Sequence, residues 1–582
     1  MKSTRMRAVL LLLRCLKPYK FPIIMGALAM VGTDLLQLTI PKLIGEATDQ
    51  VMHSAERGGH PMAVSLVLDF CLVVLALQMV RYGWRHYLVG SARRMGARLK
   101  EDFLSHIQNL GLEDYHRMMT GDLMSRATSD INAVVHMVAF GFGVGLDVTI
   151  HVFMGAGILW RLDSELLKQC ILPTLLTPVV FHLVSPRIHK ASKTLQELSS
   201  RLAALAQETF AGIHVVKAFA NEPVNAGRFE SESGAYAGQV LKVVKLNNCL
   251  SPVVRFLVSL SLLLALLFGA PRLVSGTLTA GEMVSFFQYL TMMSWSLFAT
   301  GFVVSVFQQG MASLERLEEI FACPPAAPPG GHSPPDLDTS MEVRNLTFAY
   351  RGGERVLRDI SFKVPAGSRV GIVGPVGAGK STLLSLLARL YDPPRGSVFM
   401  GGVDILDLDP SFLRKRMGFV PQEPFLFSDT VEENTALALA GPDSSKVGEA
   451  LEISCIAEEV AGFYSGRESI LGEKGVNVSG GQKQRLTLAR ALVHAPLIMV
   501  FDDCLSALDA ETEEKVVEGL KKQGGGRTQL IAAHRMSAVQ DCDLILVLEG
   551  GMVVDRGTHA QLMARPGYYR LMVERQSLEL SS

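Results

Sequence analysis

Six apolar stretches, near Phe21 to Ile44, Met62 to Tyr82, Ala133 to Trp160, Leu166 to Val184, Pro252 to Ala270 and Met283 to Phe307, dominate the first half of the chain. Each approaches the roughly 20 residues that an α-helix needs to cross a bilayer, so the pattern predicts six spans. None is purely apolar. Asp34, Asp69, His136, Asp147 and Gln288 interrupt them, as expected where one helix face meets other helices or a watery cavity rather than lipid. Asp34 and Asp147 lie well inside their spans and are the better candidates to face a cavity; a hydrogen bond to a neighbouring helix would explain them equally well.

The stretches 83–132 and 185–251 are long, polar and rich in helix formers, with heptad-like apolar spacing at Leu195, Leu202, Leu205 and Phe210. They predict helices that continue well beyond the membrane. Each holds a glycine-marked bend, "EDYHRMMTGDL" and "FAGIHVVKAFANE", where a short helix is expected at the tip. Lysine and arginine crowd these two stretches and the segment before the first span, whereas the other three loops carry few. The positive-inside rule then places both termini and both long loops in the cytoplasm. The N-terminal "MKSTRMRAVLLLLRCLKPYK" has an apolar run too short for a secretory signal, broken by Arg14 and followed by no small-residue cleavage site. An amphipathic helix on the membrane surface fits it better.

The pattern changes after residue 322. "CPPAAPPGGHSPPD" begins a proline and glycine linker over 323–338. Beyond it, strand-like and helix-like runs alternate with glycine turns, an α/β pattern over 339–582. The expected architecture is therefore an all-α transmembrane domain over 1–322, six helices with long cytoplasmic extensions, followed by an α/β domain.

Composition adds limits. Apolar residues make up 48% of the 582 positions, too many for an ordinary soluble protein. Acidic and basic residues balance at 56 each, so bulk charge argues for no nucleic-acid partner. The eight cysteines form no CxxC pair and read as reduced, mostly buried thiols rather than a disulfide framework or zinc site.

Chemistry enters at "VGIVGPVGAGKST", a buried strand, a glycine loop and a helix start, in which Gly374 to Ser381 matches GxxxxGK[ST]. Backbone amides of Gly374, Val376, Gly377, Ala378 and Gly379 can converge on phosphates at the helix N-terminus, with Thr382 following. Lys380 would reach the β and γ phosphates, and the Ser381 hydroxyl would bind magnesium. Downstream, Ser479, Gly480, Gly481 and Gln482 in "NVSGGQKQRLTLARAL" open a second helix that could cap an anion. "LIMVFDD" then delivers Asp502 and Asp503 at the end of an apolar run.

These motifs, in this order and spacing, resemble the ATP-binding cassette (ABC) family, and within it an exporter-type half-transporter. The resemblance covers nearly the whole chain and implies ATP and Mg2+ as cofactors. Tyr350 matches the residue that stacks on adenine, Gln422 the glutamine that contacts magnesium and senses the γ phosphate, and Asp502 the magnesium-side aspartate. Glu473 matches an acidic residue that touches the loops of the membrane part, Ser506 to Asp509 a loop that crosses the dimer seam, and His534 the histidine on the γ phosphate. In this family two cassettes meet head to tail, so the resemblance also implies a second half-transporter as partner.

Asp503 departs from the pattern, because a glutamate that polarises the attacking water usually stands there. Aspartate keeps the charge but draws the carboxylate back by about 1.5 Å, and a misplacement of about 1 Å can cost on the order of 100-fold. The expected reading is an ATPase-coupled exporter subunit of a heterodimer in the plasma or bacterial inner membrane, weakly hydrolytic at its own Walker site. Its signature would complete the partner's site. A self-sufficient homodimer and an ATP-binding regulatory subunit are the alternatives. The cargo class implied by resemblance is hydrophobic or amphipathic.

Overall fold

A computed structural model describes residues 2–57, 63–326, 331–441, 443–472, 475, 477–504, 508–523 and 526–581. The chain divides into two compact units, one of residues 1–108 and 118–324, the other of 109–117 and 325–582.

The first unit is helical. Its six helices long and apolar enough to cross a membrane are Arg5–His53, Val67–Gln108, Thr120–Leu162, Ser164–Ala211, Glu222–Val274 and Ala280–Phe321. Their lengths show why the polar loops read as helix: the fourth and fifth continue unbroken from apolar into charged sequence. Pro173, Pro178 and Pro186 lie inside the fourth and Pro252 and Pro271 inside the fifth, tolerated where neighbouring groups take up the freed backbone. The segment 2–16, expected on the membrane surface, is a helix that buries Ala8 and Leu12 in a cluster with Phe103, Ile131, Leu314 and Leu317. Met6, Leu10 and Leu13 stay exposed. Protein packing, not only a membrane surface, therefore orders it.

The first span locks onto the sixth. Gly45 and Gly281 approach so closely that a Cβ on Gly281 would stand 2.0 Å from the Gly45 carbonyl oxygen, the small-residue contact expected between helices in lipid. Beside it, Ser285 Oγ donates to the Pro41 carbonyl (2.8 Å) and Tyr289 Oη to that of Leu38 (2.6 Å). The Asp49 carboxylate accepts from Thr279 Oγ1 and from the Gly281 amide, both at 2.6 Å, capping the N-terminus of the sixth helix.

The second unit holds two sheets. Its strands are β1 Met341–Ala349, β2 Arg355–Val364, β3 Arg369–Val373, β4 Val398–Met400, β5 Val403–Asp404, β6 Met417–Val420, β7 Ile498–Asp502, β8 Thr528–Ala532, β9 Leu544–Glu549 and β10 Met552–Gly557. A four-stranded antiparallel sheet runs β2-β1-β4-β5. A six-stranded sheet runs β10-β9-β3-β8-β7-β6, parallel except where β10 meets β9. β3, β7 and β8 are buried almost throughout, as parallel strands covered on both faces must be.

Both expected tip helices form, at Leu112–His116 and Ile213–Ala218. The first belongs to the second unit: Arg351 N donates to Glu113 Oε1 (2.8 Å), and Tyr391 Oη lies 2.7 Å from His116 Nδ1. The second leaves Phe210, Val215 and Phe219 exposed. None of the eight cysteines forms a disulfide. Only Cys170, Cys504 and Cys542 are fully buried, with Cys71 and Cys249 exposed, so "mostly buried" was too strong an expectation for thiols on membrane-facing helices.

Candidate functional site

β3 runs into the glycine loop, and the helix Lys380–Leu387 leaves it. Two glycines are sterically required there. A Cβ on Gly374 would stand 2.1 Å from the Leu548 carbonyl oxygen, and Gly379, at φ +96°, caps the helix in a left-handed conformation. Val376 projects into solvent at 89% exposure, whereas Ala378 packs inward. Gly377 also turns left-handed, at φ +82°.

Lys380 is buried and folds back over the loop, its Nζ donating to the carbonyls of Gly374 (2.9 Å) and Pro375 (3.0 Å). Burial pushes its ammonium below the ordinary lysine range, opposed by the charges of Asp503 and Asp502. Ser381 Oγ donates to Asp502 Oδ1 at 2.9 Å. Burial also raises the Asp502 carboxyl, only partly offset by the Ser381 hydrogen bond. Tyr350 Oη stands 3.0 Å from Thr382 Oγ1, and the Tyr350 ring packs edge-on against Tyr391.

Strand register places Asp502 opposite Ala532 at the ends of β7 and β8. The next residue breaks out of the strand: Asp503 adopts φ +48°, its amide donates to the Ala532 carbonyl (2.9 Å), and its Oδ1 accepts the His534 amide (3.3 Å). Asp503 and His534 are thereby joined. Cys504 is buried behind them, and burial raises its thiol well above the ordinary range.

Other elements carry the remaining expected residues. Gln422 is exposed just beyond β6. Ser479 caps the helix Gly480–Leu492 through a reciprocal pair with Gln482, Ser479 Oγ accepting its amide (3.2 Å) and Gln482 Oε1 accepting the Ser479 amide (2.9 Å). Gly480 is exposed and Gly481 half-buried. Asp509 is exposed and accepts the Thr512 amide (3.0 Å), which caps the helix Ala510–Gln523. Glu473, Ser506 and Ala507 lie outside the described residues.

The structure adds Glu459, which sequence reasoning missed. Gln482 Nε2 donates to Glu459 Oε2 (2.8 Å) and Arg485 Nη1 contacts Glu459 Oε1 (2.6 Å), while Arg485 also holds the Cys455 carbonyl (2.7 Å). Partial burial works against the Glu459 carboxylate, but hydrogen bonds from Arg485 and Gln482 hold it below the usual range. No motif marks a glutamate some twenty positions upstream of its partners.

A bundle of membrane-spanning helices joined to an α/β unit with a phosphate loop defines a membrane protein that works with a nucleotide. Comparison with known proteins is consistent with that. Residues 23–297 match the pattern "ABC transporter transmembrane region" and residues 357–506 the pattern "ABC transporter". The chain is 34% identical to the "Probable multidrug resistance ABC transporter ATP-binding/permease protein YheI" of Bacillus subtilis (strain 168), covering 97% of this chain and 96% of that one. It is 32% identical to the "Multidrug resistance-like ATP-binding protein MdlA" of Escherichia coli (strain K12), over 95% and 94%. A solved "bacterial Atm1-family ABC exporter with ATP bound" superposes with a TM-score of 0.75 at 27% identity, covering 96% and 98%. The chain belongs to the ABC transporter family: a multi-pass membrane protein of exporter fold with a cytoplasmic nucleotide-binding domain, and an ATPase coupled to transport.

Proposed function

We propose that this chain is one half of an asymmetric heterodimeric exporter, whose own Walker site binds ATP and hydrolyses it slowly while its signature helix completes the partner's site. The observation that carries the reading is Asp503. A carboxylate one methylene shorter than glutamate, tied back to the His534 amide, is poorly placed to order a water at a γ phosphate. Phosphoryl transfer depends mainly on such positioning and on charge stabilisation.

The rest of the site suits ATP. Gly374 to Gly379 would present amides to the phosphates, Lys380 would exchange its two loop carbonyls for phosphate oxygens, and Tyr350 would stack on adenine. The part-buried hydroxyl–carboxylate pair of Ser381 and Asp502 fits a hard divalent cation, with Gln422 and a phosphate oxygen as further ligands. Mg2+, when bound there, neutralises phosphate charge. Asp503 and His534 face the γ phosphate. Ser479 to Gln482 and Asp509 serve the nucleotide held by the opposite chain.

The exposed apolar tip of Phe210, Val215 and Phe219 supports a partner chain, since water is a poor neighbour for three such side chains. A cavity of about 660 Å³ in the membrane unit, lined by Ile40, Leu262, Leu266, Phe287 and Met292 with Gln37, Gln288 and Thr291, suits a hydrophobic or amphipathic cargo. The names of the bacterial multidrug relatives agree with that class, and the plasma or inner membrane is the proposed location.

The test is ATP turnover of the chain purified as the only cassette protein in lipid, beside Asp503→Glu. Near silence of the native chain with about 100-fold recovery in the variant supports the reading. Turnover of about 1–10 per second in the native chain, with little gain in the variant, overturns it in favour of a homodimer.

A further inference from the structure

Asp34 of the first span meets Asp147 and His151 of the third inside the membrane unit, where one ligand-capable atom from each residue lies within 4.8 Å of the other two. Asp34 is 1% exposed and His151 4%. His151 Nδ1 lies 2.9 Å from the Asp147 carbonyl oxygen and 3.3 Å from Asp147 Oδ1. Donation to that carbonyl puts the proton of a neutral ring on Nδ1 and leaves the Nε2 lone pair free.

Nε2 is buried without a hydrogen-bond partner among the described residues, and so is Asp34 Oδ2. Orphaned polar atoms are rare in protein interiors and costlier still in a membrane. Their neighbours are committed elsewhere: Thr33 Oγ1 donates to the Ala29 carbonyl (2.9 Å), and Arg81 Nη2 to Gln37 Oε1 (3.3 Å). With the ring neutral and Asp34 ionised, both orphans offer only lone pairs, so neither can satisfy the other. A cation can satisfy both.

We propose that Asp34, Asp147 and His151 form a three-ligand site for a divalent cation of the zinc class, bridging the first and third spans. Two carboxylates and a neutral imidazole carry the charge that such an ion balances. The mixed oxygen and nitrogen set suits Zn2+ or Co2+, whereas Mg2+ and Ca2+ prefer oxygen alone. The Nδ1 contact to the Asp147 carbonyl is the outer-shell hydrogen bond that orients a metal-bound imidazole. Three protein ligands leave a fourth position for water. An ion held by two helices favours whichever arrangement of the spans keeps them together.

The test titrates the full chain, in lipid nanodiscs and stripped of metal, with Co2+ as a coloured stand-in for Zn2+. Expected are visible bands of low-coordinate Co2+ that saturate at a single equivalent, show no thiolate charge-transfer band and vanish on adding Zn2+. Asp34→Asn and His151→Gln should each weaken binding by at least about 100-fold while the protein still elutes as one species. Absence of low-coordinate bands, a thiolate band in their place, or equal binding by either variant overturns the site. If a variant fails to fold, the native spectrum decides between a metal site and a purely polar helix contact.

Discussion

Asp503 sits in a left-handed backbone conformation, which Asp and Asn tolerate better than most side chains. The sequence announced the missing methylene but not this turn, because no glycine or proline marks it; the strand register of β7 on β8 and the Ala532 carbonyl impose it. Glu459 was equally hidden, since its pairing with Arg485 and Gln482 arises from tertiary packing. Its depressed carboxyl gives a pH prediction. A carboxylate whose folded value lies below its ordinary value of about 4.3 contributes stability that is complete above that range and is lost as pH falls through the folded value. Thermal unfolding of the full chain between about pH 5 and pH 3 should therefore decline less steeply in Glu459→Gln than in the native protein. Identical slopes would show that the pair is inert.

Elements were legible where one period ran long. Hydropathy located all six spans, and heptad spacing located their polar continuations. The short tip helices followed from glycine-marked bends. What hydropathy could not show is which helices touch: the approach of Gly45 to Gly281 and the hydrogen bonds around Pro41 come from packing of the first span on the sixth. Tyr289 is the informative residue there, buried with its hydroxyl on the Leu38 carbonyl. Tyr289→Phe removes one interhelical hydrogen bond without opening a cavity. We expect a loss of about 1 kcal/mol, read as a lowered midpoint in detergent-titrated unfolding. An unchanged midpoint would mean that lipid-facing neighbours already satisfy that carbonyl.

For the whole molecule, the proposed pairing of an intact signature with a weakly hydrolytic Walker side implies asymmetry. With a partner that carries the usual glutamate, Ser479→Arg in this chain should reduce turnover of the complex by about 100-fold, because Ser479 would serve the active site of the other half. Asp503→Asn should change the same rate by less than about 3-fold. Equal losses from both substitutions would show two equivalent sites. The membrane part, the phosphate loop and the signature were all readable as linear motifs. The make-up of the second unit was not, because segment 109–117 joins it from more than two hundred positions away.

That distant segment makes the nucleotide-binding unit a product of two pieces of chain. Arg351 and Tyr391 fasten it to the part of the unit that follows residue 331, while the Ala326 amide, ahead of that point, donates to the Asn109 carbonyl (2.7 Å). A protease site engineered between Ala326 and Gly331 should then cut the backbone without releasing the C-terminal fragment, which would co-purify with the membrane fragment as a split protein. Weakening the clasp with Tyr391→Ala and Glu113→Ala should let the fragment wash away, so the molecule could be expressed as two genes and reassembled.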